Sequence, residues 1–187
     1  MPSFPNLERP LEGDIVMLRF AAERDIPEIL IAHQDDPVLH TRLGFDRPPS
    51  GAELGRRAEA EPAERQAGIG VRLTILERGS DVCRGQLDVH RVDSEHQRAE
   101  IGIWVAGGWR GRGLGAGAVA LAGRWLLEDC GIATVELLTE PDNEPMLRAA
   151  RAAGFHEQGV LSAFAHERDR RLNLTVVSPN PGDLEAS

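Results

Sequence analysis

The sequence predicts an α+β fold, a mixed, mostly antiparallel sheet of about seven strands flanked by helices. Three observations carry that expectation. The strand-like runs 69–77, 82–92 and 98–105 follow one another across short polar turns, as an antiparallel meander does. The third run leads through a glycine-rich stretch into a helical pattern and then another strand, the order of a right-handed crossover between parallel neighbours. A last pair of alternating runs, 160–165 and 172–177, reads as a closing pair around the polar turn 167–170.

Taken in order, residues 1–12 contain three prolines and are expected to form an irregular lead-in, followed by a single domain over 13–178 and a flexible tail over 179–187. Residues 14–20 read as the first strand. Asp25 is a candidate N-cap for a helix with Pro27 in its first turn, which the pair Asp35-Asp36 before Pro37 ends. Between Val38 and Pro49 no period survives Gly44 and the Pro48-Pro49 pair. Ser50 then caps a charged and largely exposed helix over 52–66. Residues 69–77 and 82–92 form a hairpin around Arg78-Gly79-Ser80-Asp81, and 94–97 turn the chain into the 98–105 strand. A helix begins near Gly113 and stops at Cys130-Gly131. Residues 134–139 form a strand, and Asn143 caps a helix with Pro145 in its first turn that ends at Gly154-Phe155.

A chain of 187 residues is long enough to bury roughly 70% of its unfolded surface without staples. It has no apolar run of membrane-spanning length and no basic-then-apolar start, and its two cysteines lack metal-ligand spacing. These features predict a cytoplasmic protein with no metal and no membrane partner. With 30 acidic against 21 basic residues the net charge is −9, which disfavours nucleic acid and attracts a cationic substrate.

The chemistry centres on Trp109-Arg110-Gly111-Arg112-Gly113-Leu114-Gly115-Ala116-Gly117. A strand that turns through glycines into a helix aims unpaired N–H groups and the positive end of the helix dipole at one point, where a phosphate fits. The competing explanation is that the six glycines between Gly107 and Gly117 only let a helix lie close to a sheet. Two arginines among them favour the anion.

Arg110-Gly111-Arg112-Gly113-Leu114-Gly115 matches Arg/Gln-x-x-Gly-x-Gly/Ala and thereby resembles the pyrophosphate signature of the GNAT superfamily of N-acetyltransferases. The preceding Ala99-Glu100-Ile101-Gly102, the later Asn143 and the closing Gly154-Phe155 resemble the branch of ribosomal-protein N-terminal acetyltransferases. The resemblance implies a GNAT-like fold and transfer of an acyl group from acetyl-CoA, or another short acyl-CoA such as succinyl-CoA, to a small-molecule or protein N-terminal amine in a ternary complex. It implies that loop amides from Arg110 through Gly111, Arg112, Gly113 and Leu114 to Gly115 hold the diphosphate. It further implies that Ile103 and Val105 offer main-chain groups to pantetheine, that Val105 N–H polarises the thioester carbonyl, and that the 98–105 strand splays from 134–139. A homodimer is expected on the same basis alone.

Attack requires a neutral amine, and an amine of pKa 8 to 10 needs a base at neutral pH. Glu100 stands at the family's acidic strand position, where an ordinary exposed carboxylate is the alternative; His90 is the second candidate, with His156 and His166 behind it. Asn143 either contacts the coenzyme or only caps its helix. The chain departs from the family in lacking any tyrosine: Ala150 and Met146 stand where hydroxyls are usual, so thiolate protonation falls to solvent or an unassigned group. Two other readings remain open. One is a non-catalytic acyl-CoA sensor. The other is a dinucleotide-binding oxidoreductase, since Gly111-x-Gly113-x-x-Ala116 also fits that fingerprint, with Glu136 or Glu140 near the ribose acid.

Overall fold

In a computed structural model, residues 3–167 and 170–179 are described, with side chains for residues 3–160. One sheet holds eight strands: β1 (Leu11–Glu12), β2 (Val16–Phe20), β3 (Val71–Glu77), β4 (Cys83–Asp93), β5 (Arg98–Val105), β6 (Thr134–Thr139), β7 (Phe155–Glu167) and β8 (Arg170–Pro179). Their spatial order is β1-β2-β3-β4-β5-β6-β8-β7. All neighbours are antiparallel except β5 and β6. The mixed, mostly antiparallel sheet expected from the sequence is therefore present. Its additional strand is β1, whose two residues pair with Leu18 and Met17 inside the supposed lead-in. That lead-in is also anchored: Phe4 is buried against Trp125 at 6.1 Å between ring centroids, and Ser3 N–H donates to Cys130 C=O.

Five helices flank the sheet: α1 (Ile26–Asp35), α2 (Leu39–Arg42), α3 (Gly51–Gln66), α4 (Leu114–Glu128) and α5 (Glu144–Ala152). α4 and α5 lie on one face. There Leu114, Ala118, Val119, Ala122, Trp125 and Leu126 pack on Val16, Leu18, Leu73, Leu87, Ile101 and Val135 to form the main core. On the opposite face α1, α2 and α3 bury Ile29, Ala32, Leu39 and Leu54 with Cys83 and Trp104.

The local chemistry explains most boundaries. Ser50 and Glu53 form a reciprocal capping box at the start of α3, and Asn143 accepts from Met146 N–H at the start of α5. Asp25 behaves otherwise than expected. It precedes α1 but makes no cap bond into it, because its carboxylate turns inward to a bidentate pair with Arg19 at 2.6 and 2.9 Å and accepts from the Thr74 hydroxyl at 2.6 Å. The stretch after Val38 contains α2, a single turn held by buried Leu39 and too short for a period. β7 starts at Phe155 rather than 160, and residues 168 and 169 of the expected turn and 180–187 of the expected tail lie outside the described residues.

α3 is tied to the sheet by Glu61, which is buried and accepts from Arg72 N–H at 3.0 Å. Desolvation pushes its carboxyl above the usual range, against the lowering effect of that hydrogen bond. A folded-state pKa raised above the unfolded value gives stability that is complete at low pH and is lost as pH rises through the folded value. Glu61→Gln, which keeps the acceptor oxygen, is therefore expected to raise the melting temperature by about 2 °C at pH 7.5 and by nothing near pH 4. Thermal melts of both proteins across that interval check it.

Candidate active site

β5 and β6 run side by side only from Arg98↔Thr134 to Ile101↔Leu137. β6 then turns to β8, pairing Leu137 to Thr139 with Val177 to Thr175, while β5 continues beside β4 to Val105. The two strands thus part at Gly102, and a wedge opens between them. Which groups face it follows from the hydrogen bonds. Ala106 N–H donates to Arg84 C=O at 2.8 Å, so in the antiparallel alternation the even-numbered residues of β5 exchange bonds with β4. Ile103 and Val105, being odd, turn their N–H and C=O groups toward the wedge. The expected splay is present, and the two residues named for pantetheine lie along its edge.

The glycine loop closes the top of this wedge. After a 3-10 turn over Gly107–Trp109 the chain passes Gly111 (φ +75°) and Gly113 (φ +82°), both left-handed, and enters α4 at Leu114. The first intrahelical bond is Gly117 N–H to Gly113 C=O at 2.9 Å, which leaves the amides of Leu114, Gly115 and Ala116 without helical acceptors. These groups fit a diphosphate. The glycines divide by purpose: a Cβ at Gly117 would lie 2.6 Å from Val16 Cγ1, so this one serves close helix packing, whereas a Cβ at Gly111 would meet open space. The packing explanation thus holds at Gly117 and does not extend to Gly111.

The two arginine side chains of the loop have partners of their own. Arg112 lies over one side of the Trp109 ring system at 4.5 Å, and Arg84 stacks on Trp109 at 3.7 Å. Arg110 donates through Nε to Val105 C=O at 2.9 Å and through Nη2 to Asp36 Oδ2 at 2.7 Å. A cavity of about 310 Å³ lies outside the loop, lined by Asp14, Ile15, Glu77, Arg78, Trp109, Arg112 and Leu114. Its two carboxylates are matched by two guanidinium groups, and it lies beside β2 and β3 rather than at the wedge.

Across the sheet from α4, the face of Glu100, Gly102 and Trp104 is polar at its centre. His90 stands opposite Glu100 in the β4–β5 register, its Nε2 3.7 Å from Glu100 Oε2. The sequence's two candidate bases are therefore neighbours. Arg91 holds both Glu100 oxygens at 3.0 and 3.1 Å. Arg72 pairs with Asp88, and Arg98 pairs with Glu136, which faces Glu100 from β6. Trp104 closes this face beneath α1, 6.4 Å from His33. Desolvation, reinforced by His40, lowers the His33 pKa.

Other sequence candidates fall elsewhere. Asn143 caps α5 with its own side chain, Ala150 is fully buried in the main core, and half-buried Met146 packs against that core. His156 lies at the start of β7, away from Glu100 in the strand order, and the side chain of His166 is outside the described residues. Both cysteines are buried, which pushes their thiols up to about 12 and makes them inert. Among the described residues no group of three or more metal-ligating side chains comes together, and no helix is long and apolar enough to cross a membrane. Asp36 and Arg91 were missed from the sequence. The signal for Arg91 was a charged residue at the end of a strand, and for Asp36 there was none.

Known proteins share this sequence pattern and this fold. The family model described as an acetyltransferase (GNAT) domain matches residues 16–156. An uncharacterized N-acetyltransferase of Bacillus subtilis (strain 168), YoaA, is 24% identical over 169 residues, covering 90% of this chain and 94% of its own. A protein named putative ribosomal N-acetyltransferase YdaF, of the same organism, is 29% identical over 140 residues, 74% of each chain. In fold, the chain resembles Mycobacterium smegmatis RimJ, solved in complex with CoA-disulfide, at a TM-score of 0.77 and 23% identity over 91% of this chain and 85% of that one.

Proposed function

The chain belongs to the acetyltransferase (GNAT) domain family and is an acyl-CoA-dependent N-acetyltransferase; from that premise we propose that Glu100 with His90, the Val105 amide and the loop from Arg110 to Gly115 carry the reaction. The observation behind this reading is the wedge between β5 and β6, open beside an unpaired helix N-terminus. The thioester supplies an activated acyl carbon and a leaving thiolate. The chain's residues do the rest: amides of Leu114, Gly115 and Ala116 receive the diphosphate, and Ile103 offers its N–H and C=O to the amide-rich arm as a missing strand would. Val105 N–H donates to the acyl oxygen as negative charge builds there.

The acceptor is a primary amine of a small molecule or a protein N-terminus, entering over the polar face on the side of α1 and α3. Glu100, side by side with His90, takes its proton. Direct attack in a ternary complex needs no nucleophilic side chain, which agrees with thiols held inert by burial. With Ala150 in the core and no tyrosine in the chain, water protonates the thiolate, which leaves readily with a pKa near 8.5.

Thermal shift with acetyl-CoA, succinyl-CoA and NAD tests the donor: coenzyme A thioesters stabilise the protein and NAD does not. Thiol release with amines, polyamines and N-terminal peptides separates an enzyme from a sensor, which would bind acetyl-CoA and release nothing. Glu100→Gln is expected to lower turnover about a hundredfold at pH 6.5, with the deficit shrinking as pH approaches the pKa of the amine. A parallel pair of pH profiles would reject Glu100 as the base.

A further inference from the structure

We propose that Arg110 is a positioning residue that masks the Val105 carbonyl and couples the α1–α2 segment to the coenzyme loop, and not a ligand of the diphosphate. The inference rests on the acyltransfer reading and concerns the one edge of β5 that the reaction uses. Val105 turns both its N–H and its C=O toward the wedge. The N–H is wanted there; the C=O is not, because its lone pairs would face the acyl oxygen on which negative charge accumulates. Arg110 Nε donates to that carbonyl at 2.9 Å and so replaces a bare acceptor with a cationic donor at the same point.

The other end of the guanidinium is fixed from 74 residues away. Asp36, just after α1, accepts Arg110 Nη2 at 2.7 Å and Arg42 Nη1 at 3.0 Å, and its side chain is only 13% exposed. Desolvation raises the Asp36 carboxyl, yet the hydrogen bond and charge of Arg110, with the charge of Arg42, hold it below the usual carboxylate value. Arg110 is thus engaged on the wedge side by a carbonyl and on the far side by an ionised acid. The diphosphate is left to main-chain donors. Asp36 also accepts Leu39 N–H through its carbonyl, so the same residue sets the start of α2, the acceptor-side cap over Trp104. One side chain therefore joins the acceptor cap to the strand end where the acyl group reacts.

The two arms can be separated because glutamine offers one donor to the carbonyl and no charge to Asp36. Steady-state kinetics and calorimetric titration with coenzyme A are measured on wild type, Arg110→Ala, Arg110→Gln, Asp36→Asn and Asp36→Asn/Arg110→Ala. Arg110 is 42% exposed, so the melting temperatures are expected to stay close to wild type. Arg110→Ala is expected to lower kcat about tenfold with coenzyme A Kd changed less than about threefold, and Arg110→Gln to recover most of that turnover. Asp36→Asn raises acceptor KM and leaves Kd unchanged, and the double variant loses less in kcat/KM than the product of the two single losses, the non-additivity of a shared contact. Coenzyme A binding weakened tenfold or more by Arg110→Ala makes the arginine a phosphate ligand and overturns the proposal, as does unchanged kcat. Wild type that binds no coenzyme A would instead overturn the acyltransfer reading itself.

Discussion

Gly113→Glu is expected to weaken coenzyme A affinity by about a hundredfold or more, roughly 2.8 kcal/mol, while leaving a folded protein. Two effects act together. Gly113 sits at φ +82°, where a side chain costs on the order of 1–3 kcal/mol, and its Cβ would meet the flexible end of Ile15 at 2.9 Å. The new carboxylate would then stand at the helix N-terminus, facing the amides of Leu114, Gly115 and Ala116 and repelling the ligand they suit. Gly113→Ala keeps the strain without the charge and is expected to lose far less. Gly117→Val provides the contrast: it drives a side chain into Val16, lowers the melting temperature, and leaves the affinity of the folded fraction alone. Calorimetric titration beside circular dichroism distinguishes the three. Full affinity in Gly113→Glu would show that the loop is not the diphosphate site.

The largest loss of stability is expected from Asp25→Ala. Asp25 is 1% exposed and Arg19 8%, and the acid satisfies the guanidinium twice, the Thr74 hydroxyl once and Ala22 N–H at 3.0 Å. Arg19 Nε reaches Asp81 at 2.8 Å, so the cluster also pins the β3–β4 turn. Removing only the acid leaves a buried cation whose one remaining counter-charge is half-exposed Asp81, with the Phe20 carbonyl as its nearest neutral acceptor. A cost of about 3–5 kcal/mol follows, a fall in melting temperature on the order of 10 °C. Replacing both, as Arg19→Met/Asp25→Leu, is expected to recover about half or more of the loss, since what harms is the uncompensated charge rather than the missing bridge. The Thr74 hydroxyl and Ala22 amide stay unpaired and keep the recovery partial. Denaturant unfolding of the three variants checks the order, and equal losses in the single and double variants would contradict it.

The sequence was informative wherever chemistry is local. The turn through Gly111 and Gly113 into α4, the capping box of Ser50 and Glu53, and the alternation that set Glu100 with Trp104 all depend on neighbours within a few residues. The parting of β5 from β6 was legible only through the family resemblance, because nothing in 98–105 or 134–139 says where pairing stops. Asp25 was misread because its local context is that of a cap, while its partner Arg19 becomes visible only once β2 lies beside β3. β1 and α2 are too short for any period, and each is held by what it packs against. The Asp36–Arg110 contact spans 74 residues and leaves no trace in either neighbourhood.

The hairpin joining β4 to β5 carries a bulge. His90 pairs with Glu100 and Asp93 with Arg98, so two residues, Arg91 and Val92, stand against Ala99 alone. Arg91 takes a positive φ of 47° there and points to the same side as His90, which is how it reaches Glu100. Without the extra residue the strict alternation of a strand would send the side chain after His90 to the opposite face. The ion pair at the proposed base is therefore encoded by hairpin length as much as by residue identity. A single-codon deletion at this position would leave the sheet paired and strip that carboxylate of its guanidinium, so a change of one residue in hairpin length reaches the proposed base without touching it.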